Sequence, residues 1–258
     1  MAQLLSCPGP MRRFAGFSPD ALTFLRNLKR NNRQDWFQPR KEQYEKLIKI
    51  PMLDLACCLS REFARFAPDY VVSPDRSVFR IYRDEHFSYA RKPYKTHIAA
   101  VFARRGVNHL RGPCFYFHFT DRELLALGGV YSPERDELLA YRTLLAEHYC
   151  EFREILADPK LVRVAGELQG ETLSRMPQGI CRNHPAARFL KHKQWYLVSI
   201  LDVKLLTTPR LLPELSRSFE AMVPFVAFMN RAFPQAPRAK GLSFAAAAGP
   251  GGCNEPHS

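Results

Sequence analysis

The spacing of apolar residues changes period partway along this chain, and that change restricts the fold more than any composition figure. Up to Arg76 apolar positions recur at helical intervals; from Ser77 they alternate. "VFRIYR", "HIAAVFA", "CFYFHFT" and "LLALGGVY" are short runs of β-branched and aromatic residues, divided by Pro93, Gly106, Gly112-Pro113 and Asp121. Such runs read as half-buried strands joined by turns. The joining segments are too short for crossover helices, which need about a dozen residues or more, so neighbouring strands run antiparallel as a meander. Helical spacing returns in "SPERDELLAYRTLLAEHYCEFREILAD", where Ser132 is the expected N-cap and Pro133 the first helical residue. "WYLVSILD" predicts a fifth strand, and "TPRLLPELSRSFEAMVPFVAFMNRAF" a last helical region interrupted or kinked at Pro224. Helices on either side of a run of strands make an α+β fold: an antiparallel sheet of about five strands packed by N-terminal and C-terminal helices.

Ahead of the strands, Ser18-Pro19 and "DALTFLRNLKRNN" predict a capped helix with Leu22, Leu25 and Leu28 on one side, closed by Asn31 and Asn32. A second helical pattern starts near Pro39, and Pro51 either kinks it or opens a new helix that carries Leu55, Leu59 and Phe63. Residues 14–233 are long enough to bury one core and are read as a single α+β domain. Residues 1–13 are expected to be a flexible N-terminal segment. Leu4-Leu5-Ser6-Cys7 lacks the basic and apolar stretches of a lipoprotein signal, and an extension ahead of a start at Met11 explains the segment equally well. Residues 234–258, small and rich in Pro and Gly, are expected to be a disordered tail.

No run of about 18 apolar residues exists, so no spanning helix and no membrane partner is expected. Seven cysteines, odd in number, scattered and without a Cys-x-x-Cys pair, fit a reduced compartment and a cytoplasmic protein. The charge is more informative. Of the chain's net +13, a surplus of seven falls between Arg76 and Arg111, where nine Lys or Arg face only Asp84 and Glu85. A clustered surplus favours a phosphate, a nucleic acid or another anion more than a diffuse one would, while charge alone speaks equally to a solvated basic surface.

Alternation then assigns faces. Phe79 and Ile81 share one side of their run, Arg80 and Tyr82 the other; Phe115, Phe117 and Phe119 fall together, opposite Cys114, Tyr116 and His118; Ile98 and Phe102 separate from His97 and Ala99. The aromatic face belongs against helices. The other face is read as gathering Arg80, Tyr82, His97, Tyr116 and His118, with Gly128-Gly129 leaving room for something to approach the backbone. Arg supplies a planar fork for phosphate or carboxylate, Tyr and His supply hydrogen bonds, and His moves protons near neutral pH. An ordinary wet sheet face has the same residue types.

Nucleotide-binding glycine loops, a G-x-S-x-G elbow and H-E-x-x-H are all absent from the sequence. Cys181-x-x-His184 and the group His148, Cys150 and Glu151 come closest to metal spacing, but neither has a second half, so no metal is assigned. No cofactor is indicated.

Several long segments, in order, resemble an uncharacterised family, the one known as domain of unknown function 2461. They are "FLRNLKRNNRQDWF" (24–37), "FRIYRDEHFSYARKPYKTHI" (79–98), "YFHF" (116–119), "GG" (128–129) and "MPQGICRNHPAARFLKHKQWY" (176–196). The resemblance spans roughly Phe14 to Phe233 and implies an architecture and signature positions but no reaction. Within it, Arg83, Asp84, Phe87, Ser88, Pro93, Tyr94, Lys95 and Thr96 match the signature, and Arg91 keeps its charge. Tyr89 and Ala90 stand where relatives resemble Lys-Asp, which turns the reading toward binding, or toward chemistry run by other groups.

The expected site is thus Arg80, Arg83, Arg91, Tyr94, Lys95, Thr96, Tyr116 and His118, a basic, aromatic-lined surface for an anionic small molecule or other phosphate-containing ligand, with Tyr94 and Tyr116 available to stack a base. One alternative is an enzyme, metal-independent or metal-assisted, acting on a phosphate-containing substrate, with His118, then His97 or His184, as acid or base. Another is a nucleic-acid or protein-interaction module.

Overall fold

The computed structural model describes residues 14–83, 92–104, 111–178 and 183–232. Arg91, Cys181 and the terminal segments 1–13 and 234–258 lie outside the described residues.

Helix α1 (Pro19–Arg30) begins where its sequence places it. Ser18 Oγ accepts from Asp20 N at 3.1 Å, Pro19 occupies the first turn, and Phe24, Leu25 and Leu28 are buried. Two single-turn helices follow, α2 (Gln34–Phe37) and α3 (Lys41–Tyr44), then a π-helical turn at Glu45–Lys49 that runs into α4 (Ile50–Phe66). The widened turn sits just ahead of Pro51, whose ring would crowd the preceding turn and whose missing N–H leaves a gap in the ladder. Pro51 therefore neither breaks the helix nor restarts it. A short α5 (Pro74–Ser77) leads into the sheet region.

The sheet has four strands in the order β1-β2-β3-β4, all antiparallel: β1 (Ile98–Ala103), β2 (Cys114–Phe119), β3 (Leu124–Val130) and β4 (Trp195–Leu201). The first of the five expected strands, "VFRIYR", is not one. Residues 78–83 follow the β1 edge through isolated bridges, Val78 with Ala100 and Tyr82 with Tyr94. Between those bridges one side spans four steps and the other six, and the two extra residues are taken up in a bend at Thr96-His97. Continuous pairing is impossible across such a mismatch. The alternation assigned to this run fails with it: Ile81 enters the core, whereas Phe79 turns to the opposite face beside Tyr116, ring centroids 6.2 Å apart.

Helices α6 (Arg135–Glu147), α7 (Tyr149–Leu156), α8 (Pro159–Ala165) and α9 (Ala187–Leu190) separate β3 from β4, and α10 (Leu211–Met229) closes the fold. Helix α6 starts later than expected. Its cap is Glu134, in a reciprocal box with Glu137, rather than Ser132. Helix α10 runs through Pro224 without a break.

Phe115, Phe117 and Phe119 share a face, as their alternation requires, and are fully buried. Phe63 of α4 and Phe219 of α10 meet Phe115 at 5.1 and 5.5 Å, so one face of the sheet is sealed by these two helices. Gly128 and Gly129 serve this packing rather than a ligand. A Cβ on Gly128 would lie 2.9 Å from Met222 Sδ, and one on Gly129 (φ +138°) 2.3 Å from the Trp195 carbonyl oxygen. What approaches the backbone closely here is α10 and β4. Cys114 and Cys150 are free thiols, whereas Cys57 is disulfide-bonded. No helix among the described residues is long and apolar enough to cross a membrane.

Candidate functional site

Among the described residues the second sheet face is open at its centre, and the strand register decides what it presents. Three rows of side chains run across it: Ala103, Cys114, Gly129 and Tyr196; then Val101, Tyr116, Leu127 and Val198; then Ala99, His118, Leu125 and Ile200. Together with Phe79, Tyr131, Gln169 and Glu123 at the margins, most of these enclose a concavity of about 550 Å³. No Lys or Arg occurs in any row, so the face is aromatic and apolar rather than basic. Single charged residues on a pleated surface can be read as a patch, but here the register puts the cations beside the face, not on it.

Its walls are rings. Phe79 packs edge-on to Tyr116, and Tyr131 lies 5.5 Å from Tyr196 across the concavity's opposite margin. Burial raises the Tyr116 and Tyr196 hydroxyls above the ordinary tyrosine range and pushes the Cys114 thiol to about 12, so all three stay uncharged at neutral pH.

One end is polar. The His97 and His118 rings lie 5.4 Å apart, and Tyr116 lies 5.6 Å from His118. His118 Nε2 faces the Glu123 carboxylate at 3.6 Å, and its Nδ1 is buried with no hydrogen-bond partner among the described residues. Burial holds His118 below the usual imidazole range, opposed by Glu123. His97 is depressed further, to about 4, by burial first and then by His118, Lys95 and Arg83. Both rings are therefore neutral near pH 7, each with one nitrogen free to accept a proton or hydrogen bond.

The expected site residues divide. Tyr116 and His118 line the concavity, and Lys95 lies over the ring of Phe79 at its margin, with Nζ 5.2 Å from the ring centre. Arg83 lies close enough to depress His97 and donates Nε–H to the Tyr94 carbonyl at 3.1 Å. Thr96 sits in the bend next to His97. Arg80 and Tyr82 do not join them; they border a separate cleft with Phe37, Lys41, Tyr44 and Glu45, on the other side of Phe79. Tyr94 is 1% exposed and stacked on Phe37 at 4.2 Å, so its ring is unavailable to a nucleobase. Arg91 lies outside the described residues. His184 is remote in role: its Nδ1 accepts from Ala186 N at 3.0 Å and shapes the turn before α9.

Sequence reasoning overlooked Tyr131, Tyr196, Leu127, Val198 and Glu123. A signal existed for two of them, since alternation in "WYLVSILD" groups Tyr196 with Val198; the pairing of β4 with β3, which carries that group onto the Tyr116 face, is a long-range contact that spacing does not encode. Among the described residues no cluster of three His, Cys, Asp or Glu is arranged to hold a metal ion.

No curated protein matches the chain. Residues 20–228, a span that takes in α1, the whole sheet and nearly all of α10, match the conserved hypothetical proteins of domain of unknown function 2461 (DUF2461), and the chain belongs to that family.

Proposed function

We propose that the open sheet face is a small-molecule binding site for a ligand with a flat apolar body and one acidic group, phosphate or carboxylate. The carrying observation is the concavity itself: about 550 Å³, floored by Val101, Leu127 and Val198, walled by Phe79, Tyr116, Tyr131 and Tyr196, with His118 and Glu123 at the end nearest Lys95 and Gln169 beside Tyr196 at the other. Pockets of roughly 300–1,000 Å³ with an apolar lining and a few convergent polar groups are the usual form of small-ligand sites. The rings provide area at little entropic cost and the imidazoles accept hydrogen bonds, while Lys95 and Arg83 favour a negative group at that end.

A matched pair of probes tests this: 1-naphthyl phosphate and 1-naphthol, titrated calorimetrically into the full chain. The phosphate should bind the more tightly, Leu127→Trp should abolish binding of both by filling the floor, and Lys95→Gln should erase the advantage of the phosphate. Equal affinities in wild type, or phosphate binding untouched by Leu127→Trp, would refute the proposal.

A second reading has its own support, the contact of His118 with Glu123 at 3.6 Å. A carboxylate beside an imidazole orients it and raises its basicity, as acid–base catalysis at a phosphate ester requires. The same probe reports on it: release of 1-naphthol from 1-naphthyl phosphate by wild type, lost in His118→Ala, would make the site catalytic. A chain that binds the phosphate and never releases naphthol is a binding protein.

A further inference from the structure

A second concavity, unrelated to the sheet face, lies where the chain before α9 crosses the start of β4. It measures about 830 Å³ and is lined by Thr172, Ser174, Arg175, Met176, Arg188 and Lys191, among others. Among the described residues three cations and two hydroxyls border it, and no carboxylate does. Among the described residues none of the three cations forms an ion pair; Arg188 instead lies over the Phe189 ring, 4.4 Å from its centre. The carboxylate next to the groove in sequence, Glu171, is already engaged by Lys193 at 3.2 Å. Like charges left this close together repel, and they persist at a site whose anion is supplied from outside.

The backbone around the groove is held firmly. Leu173 N donates to the Lys191 carbonyl at 2.8 Å and Lys193 N to the Glu171 carbonyl at 2.7 Å, pairing residues 171–173 with 191–193. Arg142 of α6 donates to the carbonyls of Leu190 and His192 at 3.0 and 3.1 Å, so the residues flanking Lys191 are clamped from below. Arg188 and Lys191 thus project from a fixed scaffold, which lowers the cost of ordering them around a ligand.

We propose that this groove binds a small anion carrying two or more phosphate groups. Its three cations outnumber what one phosphate needs, and its volume exceeds one phosphate's size. No aromatic side chain among the described residues lines it, so they offer nothing for a nucleobase to stack on, which argues against a single-stranded nucleic acid, whose binding sites combine cations with stacking platforms. Guanidinium forks and a lysine point charge, with Thr172 and Ser174 hydroxyls donating between them, match the oxygens of linked phosphates.

Inorganic tripolyphosphate is the probe, titrated calorimetrically into the full chain at about 0.15 M salt. Saturable binding is expected, weakened about tenfold or more by Arg175→Gln with Lys191→Gln. Lys204→Gln, a cation outside the groove, should leave it unchanged. Arg188→Lys, which keeps the charge and loses the fork, should weaken binding less than the double variant. A melting curve for each variant separates loss of binding from loss of fold. Absence of binding by folded wild type overturns the proposal, as does equal binding by the folded double variant. Tighter binding of a single-stranded RNA 12-mer than of tripolyphosphate, lost in the double variant, overturns the small-anion assignment in favour of nucleic acid.

Discussion

Asn32 and Tyr94 hold each other by a reciprocal pair of hydrogen bonds: Asn32 Nδ2 donates to the Tyr94 carbonyl at 2.9 Å, and Tyr94 N donates to Asn32 Oδ1 at 3.0 Å. An amide side chain is the one neutral group that offers donor and acceptor side by side, as a strand neighbour would. It ends the helix-closing Asn31-Asn32 segment by docking it onto the Pro93-Tyr94-Lys95-Thr96 turn. Asn32→Ala leaves the buried Tyr94 N–H without its partner, and its carbonyl with only Arg83. Urea unfolding should show a loss of about 1–3 kcal/mol, and a shift within error of zero would refute this account of the turn.

Tyr94 is the hinge of the same arrangement. Its ring, stacked on Phe37 and 5.5 Å from Tyr82, belongs to the core. Tyr94→Ala should therefore cost about 3–5 kcal/mol, the range for removing a large buried ring, while Tyr94→Phe retains the stacking and most of that stability. A ligand-stacking tyrosine would behave in the opposite way, with binding lost and the melting temperature kept.

Neighbouring glycines make unequal demands. On Gly129 a Cβ would meet backbone atoms, the Trp195 carbonyl at 2.3 Å and Tyr196 Cα at 2.8 Å, at a φ that L-residues avoid. On Gly128 it would meet Met222, a flexible side chain. Gly129→Ala should thus destabilise the chain by about 3 kcal/mol or more, or prevent folding, whereas Gly128→Ala should cost about 1–3 kcal/mol, the usual penalty for overpacking. Comparable losses at both positions would show that β3 and β4 adjust where the geometry says they cannot.

Local signals were legible in the sequence wherever local physics decides the outcome. Ser18-Pro19 capped a helix, alternation sorted Phe115, Phe117 and Phe119 from Tyr116 and His118, and four of five strands formed in antiparallel order. The failures have a common origin in contacts between distant segments. "VFRIYR" has the alternation of a strand, yet the two-residue excess at Thr96-His97 denies it continuous pairing. Tyr94 looked like an exposed signature residue because neither Phe37 nor Asn32 is near it in sequence. The cations clustered in sequence part company in space: Arg80 borders the cleft with Lys41 and Glu45, whereas Lys95 lies over the Phe79 ring.

The buried imidazoles give the fold a pH dependence of definite sign. His97 protonates at about 4 in the folded chain, against about 6.5 when unfolded. Between those values the unfolded chain holds more protons, so acid favours unfolding: the contribution is full above about pH 6.5 and is lost as pH falls toward 4. His118 and His192 are shifted in the same direction, also by burial. From pH 7 to pH 5 the His97 share is at most about 2 kcal/mol. His97→Gln removes the titrating group, so the drop in urea-unfolding free energy between those two pH values should be smaller in the variant by about 1–2 kcal/mol, whatever its absolute stability. Parallel pH profiles for the two chains would show that His97 is not buried against His118, and would remove with it the neutral acceptor at the polar end of the site.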